Sequence, residues 1–283
     1  MRGAFVAALI LLLPVANALP DPVTYDATPH DGADYPAGWC DVDLPGPASS
    51  PFRLHYPAME EGEDATMAGN GPFTIALFLP DDGEGSSDYD LLAGAMAARG
   101  QVVAVLDERP EDVTGLERVL SRIQSIGEGD GTVPGALNGF STHWVLGGHG
   151  FGAQSALLLS SSWADEVQET EAPAAVFGLG LQDDGLLIDE GVPSTKAKAL
   201  RWSGMQVALL VTGSVDDIAP VEDHALPLLD EKVHLGVHVM TLRGANHHQW
   251  KDETGFLEFG DGDATLSREE QIAYGVEHVV GLM

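Results

Sequence analysis

The chain has 283 residues, 44% of them hydrophobic, and carries 44 acidic side chains against 13 basic ones for a formal charge of −31. That length suits one large domain with a well-filled core, and that charge excludes polyanionic partners, because nucleic acid phosphates and anionic lipid headgroups are repelled. The acidic residues are dispersed rather than gathered in a tail, as in a solvated coat suited to salty, halophilic surroundings where screening limits self-repulsion.

Arg2, an apolar run from Ala4 to Leu13 and then Ala16-Asn17-Ala18 have the layout of a secretory signal cleaved after Ala18. Residues 1–18 are therefore expected to be a signal peptide and the mature protein to be secreted. The apolar run is well short of the roughly 20 residues that span a bilayer, and no later segment comes close, so no membrane span is expected. Residues 19–70 are rich in proline, glycine and aspartate and predict an irregular amino-terminal segment with one or two edge strands, for instance Phe52 to Tyr56. The single cysteine, Cys40, cannot form an internal disulfide, so stability rests on the core.

From residue 71 the pattern is regular. Phe73 to Leu79 is a continuous apolar run ended by Pro80, as expected of a strand buried on both faces. A helix over Tyr89 to Arg99, a strand over Gln101 to Leu106, a helix over Asp112 to Ile126 and a glycine-rich loop over Gly127 to Ser141 follow. The strand His143 to Leu146 then runs into Gly147-Gly148-His149-Gly150-Phe151-Gly152, and Phe151 to Ser161 has the composition of a helix. Strands over Ala174 to Leu179, Gln206 to Val211 and Val237 to Leu242 alternate with helices over Val221 to Glu231 and from Ser267 to the end, the last with a capping box at Ser267 and Glu270. This alternation predicts an α/β fold, a mostly parallel sheet with helices on both faces. Residues 181–204 interrupt the rhythm and leave open a small lid or an ordinary long crossover.

The segment around Gly150 has the layout of the G-x-S-x-G elbow, in which a sharp strand-to-helix turn lifts a nucleophile above the sheet. The nucleophile position is held by Gly150, which offers no attacking atom. Downstream, Asp216 stands just after one late strand and His247 after the next, which is the chain order in which such hydrolases place acid and base. Neither Ser155, more than a turn into the helix, nor Ser141, at the opposite end of the strand, stands where it can replace the missing hydroxyl. His149 is expected to pack beneath the elbow. His149, His247, His248 and Asp216 have no recognised metal-ligand spacing, so no metal or cofactor is expected. Asp261-Gly262-Asp263 and the acidic stretch from Asp81 to Asp90 lack EF-hand spacing.

With these residues in this order the chain resembles the α/β-hydrolase superfamily, in the region of dienelactone hydrolases, chlorophyllases and related secreted esterases. It is especially similar to a bacterial branch with a histidine loop like Gly244-Ala245-Asn246-His247-x-Gln249-Trp250 and a continuation like Gly260-Asp261-Gly262-Asp263-Ala264-Thr265-Leu266-Ser267-Arg268-Glu269-Glu270-Gln271. The resemblance covers roughly residues 70 to 283 and implies an α/β-hydrolase core over 71–283. It implies His247 as general base, Asp216 as its orienting partner, the Phe151 N–H as one oxyanion donor and a second donor near Asp81 or Asp82, with Trp250 and His248 at the substrate pocket. The departure is Gly150, where the resembled family has serine. Two functional readings stay open: a pseudoenzyme that binds a small ester-like molecule in the old pocket, or an active ester hydrolase that uses Asp216 and His247 by a non-serine route.

Overall fold

The computed structural model describes residues 23–25, 35–44, 51–69, 71–137, 139–166, 172–185, 187, 207–229, 236–253 and 259–282. The expected signal segment, residues 1–18, and most of the expected lid segment lie outside the described residues. Among the described residues ten strands form one sheet: β1 (Val23–Tyr25), β2 (Ala37–Val42), β3 (Phe52–Pro57), β4 (Gly62–Glu63), β5 (Phe73–Leu79), β6 (Gln101–Leu106), β7 (Phe140–His149), β8 (Ala175–Leu179), β9 (Val207–Gly213) and β10 (Val237–Leu242), in the order β1-β10-β9-β8-β7-β5-β6-β3-β2-β4. Strands β5 to β10 run parallel, while β3 is antiparallel to both β6 and β2. The expected edge strand at Phe52–Tyr56 is thus an interior strand, and the amino-terminal segment extends the sheet rather than wrapping it.

The helices α1 (Asp90–Ala98), α2 (Val113–Gly127), α3 (Phe151–Glu166), α4 (Val221–His224) and α5 (Arg268–Val280) complete the fold. Alternation along the strands builds two cores. Ile75, Leu77 and Leu79 of β5 pack with Leu116, Leu120 and Ile123 of α2 and Ala153 and Leu157 of α3. Ala76 and Phe78 point to the other face and pack with Leu92 and Met96 of α1 and Ile272 and Val276 of α5. Each fully buried Leu or Phe contributes about 1.5–3 kcal/mol, which is why β5 reads as an unbroken apolar run. Asp112 caps α2 by accepting a hydrogen bond from the Gly115 N–H, and Ser267 and Glu270 form the capping box expected for α5. The helix expected over 221–231 stops after one turn at His224 and gives way to a 3₁₀ turn at Leu226–Leu229, where Pro227 lacks the amide that a continuing helix needs. Among the described residues no helix is long and apolar enough to cross a membrane.

Strand β5 pairs with β6 on one side and β7 on the other, so the chain reverses its direction of travel across the sheet between β5 and β7. In open parallel sheets the crevice outside the carboxyl ends of two such strands is where ligands bind. Asp81 follows β5 and Gly150 follows β7.

Candidate functional site

The elbow is built as a tight strand-to-helix turn. Gly150 has φ +53°, in the left-handed region where a side chain is strained, and a Cβ at Gly152 would lie 2.1 Å from the Leu79 carbonyl oxygen, so α3 approaches β5 closely only because that position is glycine. What fills the space above Gly150 is the carboxylate of Asp81. A Cβ at position 150 would lie 2.3 Å from both Cγ and Oδ1 of Asp81 and 2.5 Å from Oδ2. Asp81 Oδ1 accepts a hydrogen bond from the Phe151 N–H at 2.9 Å, and Oδ2 lies 3.3 Å from His247 Nε2. On the far side of the ring, His247 Nδ1 is 3.1 Å from Asp216 Oδ2, and Asp216 Oδ1 accepts the Ala219 N–H at 2.7 Å. The structure therefore brings Gly150, Phe151, Asp81, His247 and Asp216 together, with a carboxylate from the neighbouring strand's loop standing where the elbow's own side chain would be.

Beneath this relay lies His149. Tyr89 Oη accepts the Asp81 N–H at 3.0 Å and is 3.0 Å from His149 Nδ1. The Asp81 N–H is therefore already engaged. The His149 and His247 rings stand with centroids 4.5 Å apart, and His149 Nε2 is buried with no hydrogen-bond partner. Asp81, His149 and His247 each present a ligand atom within 4.8 Å of the others, the arrangement among the described residues that can hold a metal ion.

Burial pushes the Asp81 carboxyl up, but the hydrogen bond from His247, the neighbouring imidazoles and the Phe151 N–H outweigh it and hold the group well below the usual carboxylate range. Burial alone would lower His247, yet the hydrogen bonds and charges of Asp216 and Asp81 raise it to about 9. Burial, helped by the charge of His247, takes His149 down to about 3. At neutral pH the site thus holds an imidazolium between two carboxylates above a neutral imidazole. No family model matches the chain, and no curated protein matches it.

The remaining site residues of the sequence analysis fall elsewhere. Asp82 is exposed and pairs with Arg109 at 2.6 Å. Trp250 is fully buried, and a Cβ on Gly275 would lie 2.4 Å from its ring, so it packs the core beneath the histidine loop and does not line the surface crevice. His248 is half-buried, its ring 5.8 Å from that of His247. Ser155 Oγ donates to the Phe151 carbonyl and is engaged with its own helix. The crevice beside Asp81 is a cleft of about 360 Å³ between residues 80–84 and 107–109.

Three positioning residues have roles that the sequence does not disclose, although Asp261 and Gln271 lie in the 260–271 segment that carries the resemblance. Gln271, fully buried on α5, accepts the Asn246 N–H at 3.0 Å and donates to the Asn246 carbonyl at 2.7 Å, which fixes the backbone just before His247. Asp261 accepts N–H groups from His248 at 2.9 Å and Asp217 at 3.3 Å, tying the loop of the base to the loop of the acid. Tyr89 fixes Asp81 and His149 together.

Proposed function

We propose that the chain is an exported protein of the α/β-hydrolase superfamily whose centre has lost serine-type hydrolysis of carboxylic esters, a pseudoenzyme toward esters whose switch-point crevice takes a small ester-like ligand. One observation carries this reading: the Asp81 carboxylate occupies the space of the elbow side chain and holds both the Phe151 N–H and the His247 Nε2 that an acyl-transfer reaction needs. The order of elbow, Asp216 and His247 supports the superfamily. The relay persists as a buried, hydrogen-bonded charge network. The acidic surface suits an extracellular, salty setting.

The second reading, ester hydrolysis by water that His247 activates with Asp216 behind it, draws support from the 3.1 Å contact of that pair. It requires a free imidazole, and the two carboxylates keep His247 protonated up to about pH 9. The test is a panel of short-chain aryl esters with chelator present, using the mature protein, Gly150→Ser, Asp81→Ala/Gly150→Ser, and the last with His247→Ala added. The expected result is turnover only in the double variant, lost when His247 is removed. His247-dependent ester turnover by the natural chain would overturn the proposal, and a rise of that turnover up to about pH 9 would identify the water route.

A further inference from the structure

We propose that Asp81, His149 and His247 form a binding site for one divalent transition-metal cation of the zinc class, a property that stands apart from the ester chemistry considered above. The donor set is two imidazoles and one carboxylate, the composition of many catalytic zinc sites, with room left for a water. Each donor is already oriented from behind. His247 Nδ1 is bonded to Asp216, His149 Nδ1 to Tyr89 Oη, and Asp81 Oδ1 to the Phe151 N–H. Protein metal sites almost always anchor the distal ring nitrogen in this way, because the anchor sets both the tautomer and the ring direction.

The atoms left facing one another are His247 Nε2, Asp81 Oδ2 and a nitrogen of His149. The first two stand 3.3 Å apart, which is the edge of a tetrahedron with metal–ligand bonds of about 2.0–2.1 Å. All three donors lie within 4.8 Å of one another, so modest ring rotations close the set. The independent observation is His149 Nε2. It is buried on a residue that is 1% exposed and has no partner, and an unmade bond at such an atom costs about 1–3 kcal/mol. A cation satisfies it, with a tautomer shift that turns the Tyr89 contact around and places the ring proton on Nδ1. The proton on His247 Nε2 leaves to solvent as the ion enters. Two nitrogen donors disfavour calcium and magnesium, which take oxygen, and favour zinc, cobalt or nickel. Asp81 borders the cleft between residues 80–84 and 107–109, which supplies an entry path, and although Asp82 and Glu84 are paired with Arg109 and Lys251, Asp107 and Glu108 keep the lining net acidic and raise the local cation concentration.

The test is calorimetric titration of the chelator-stripped mature protein with zinc and, separately, calcium, together with the visible absorption of cobalt(II). The variants are Asp81→Asn, His149→Ala and the surface control Asp130→Asn, with folding checked by circular dichroism. The proposal expects one zinc per chain, a cobalt spectrum of a four- or five-coordinate nitrogen/oxygen site, affinity at least tenfold weaker in Asp81→Asn and His149→Ala, and no change in the control. Should His149→Ala fail to fold, Asp81→Asn and the cobalt spectrum decide. No stoichiometric zinc binding, or binding equally strong in the site variants, means that only the diffuse acidic surface takes up cations, and the proposal falls.

Discussion

Replacing Gly150 with serine should be costly in the natural chain and cheap once Asp81 is shortened. The new Cβ would sit 2.3–2.5 Å from the Asp81 carboxyl atoms, so the carboxylate must swing out. It then gives up the Phe151 N–H and His247 contacts, each a hydrogen bond to a charged group worth about 1.5–3 kcal/mol. Taking the low end, because the displaced carboxylate regains water, the loss is about 3 kcal/mol. Side-chain strain at φ +53° adds about 1 kcal/mol. Gly150→Ser should therefore cost about 4 kcal/mol in the natural chain but only about 1 kcal/mol in an Asp81→Ala background, where the contacts are already absent and only the strain remains. At ~2–4 °C per kcal/mol for a domain of this class, the melting temperature should fall by on the order of 10 °C in the first case and a few degrees in the second. Thermal melts of the four proteins in the cycle measure the coupling directly. Equal cost in both backgrounds would refute the placement of Asp81 above the elbow.

In the metal-free protein the contributions of His247 and His149 to stability should together be greatest near pH 6.5. His247, raised to about 9, contributes stability that is fully present below its unfolded value of 6.5 and lost as pH climbs through 9, while His149, lowered to about 3, makes stability fall as pH drops below 6.5, because only the unfolded chain takes up that proton. The alkaline limb is worth about 3 kcal/mol and the acid limb about 5 kcal/mol, and melts across pH should flatten on the alkaline side in His247→Gln and on the acid side in His149→Gln. The buried Lys251 ammonium pairs with Glu84, so Lys251→Ala should cost about 3–5 kcal/mol and the Lys251→Ala/Glu84→Ala double variant markedly less, as chemical denaturation can determine. Gly275→Ala should cost about 1–3 kcal/mol through overpacking against Trp250, whose ring would lie 2.4 Å from the added methyl, and the emission of a tryptophan now strained in its packing should shift with it.

Much of this arrangement was legible because it is local. The apolar run of β5, the glycines flanking position 150 and the capping box of α5 are each written within a dozen residues, and the order of Asp216 and His247 is read from two short loops that each follow a recognisable strand. The role of Asp81 is not, since its partners lie 70 and 166 residues away at Phe151 and His247, and only the reversal of strand order between β5 and β7 brings them together. Trp250 has the composition of a pocket residue, but the notch that buries it is made by Gly275 on a different element. Phe52–Tyr56 has edge-strand surroundings, yet β2 and β4 lie outside it in the sheet. Asp261 belongs to an acidic motif that suggests a cation, whereas its oxygens accept backbone N–H groups from residues 217, 248 and 262.

The contact between His247 and Asp81 joins a strand at one side of the sheet to one near its middle, with β9, β8 and β7 between them. Closing it therefore requires five parallel strands to be in register at once, the kind of non-local pairing that forms late because the chain-closure entropy must be met first. A partly assembled sheet can hold the His247–Asp216 pair, which sits on adjacent strand ends, but cannot hold the whole centre. The imidazole resonances of His247 should accordingly track completion of the fold, and any transient loosening that separates β5 from β7 should erase the site while leaving most of the secondary structure in place.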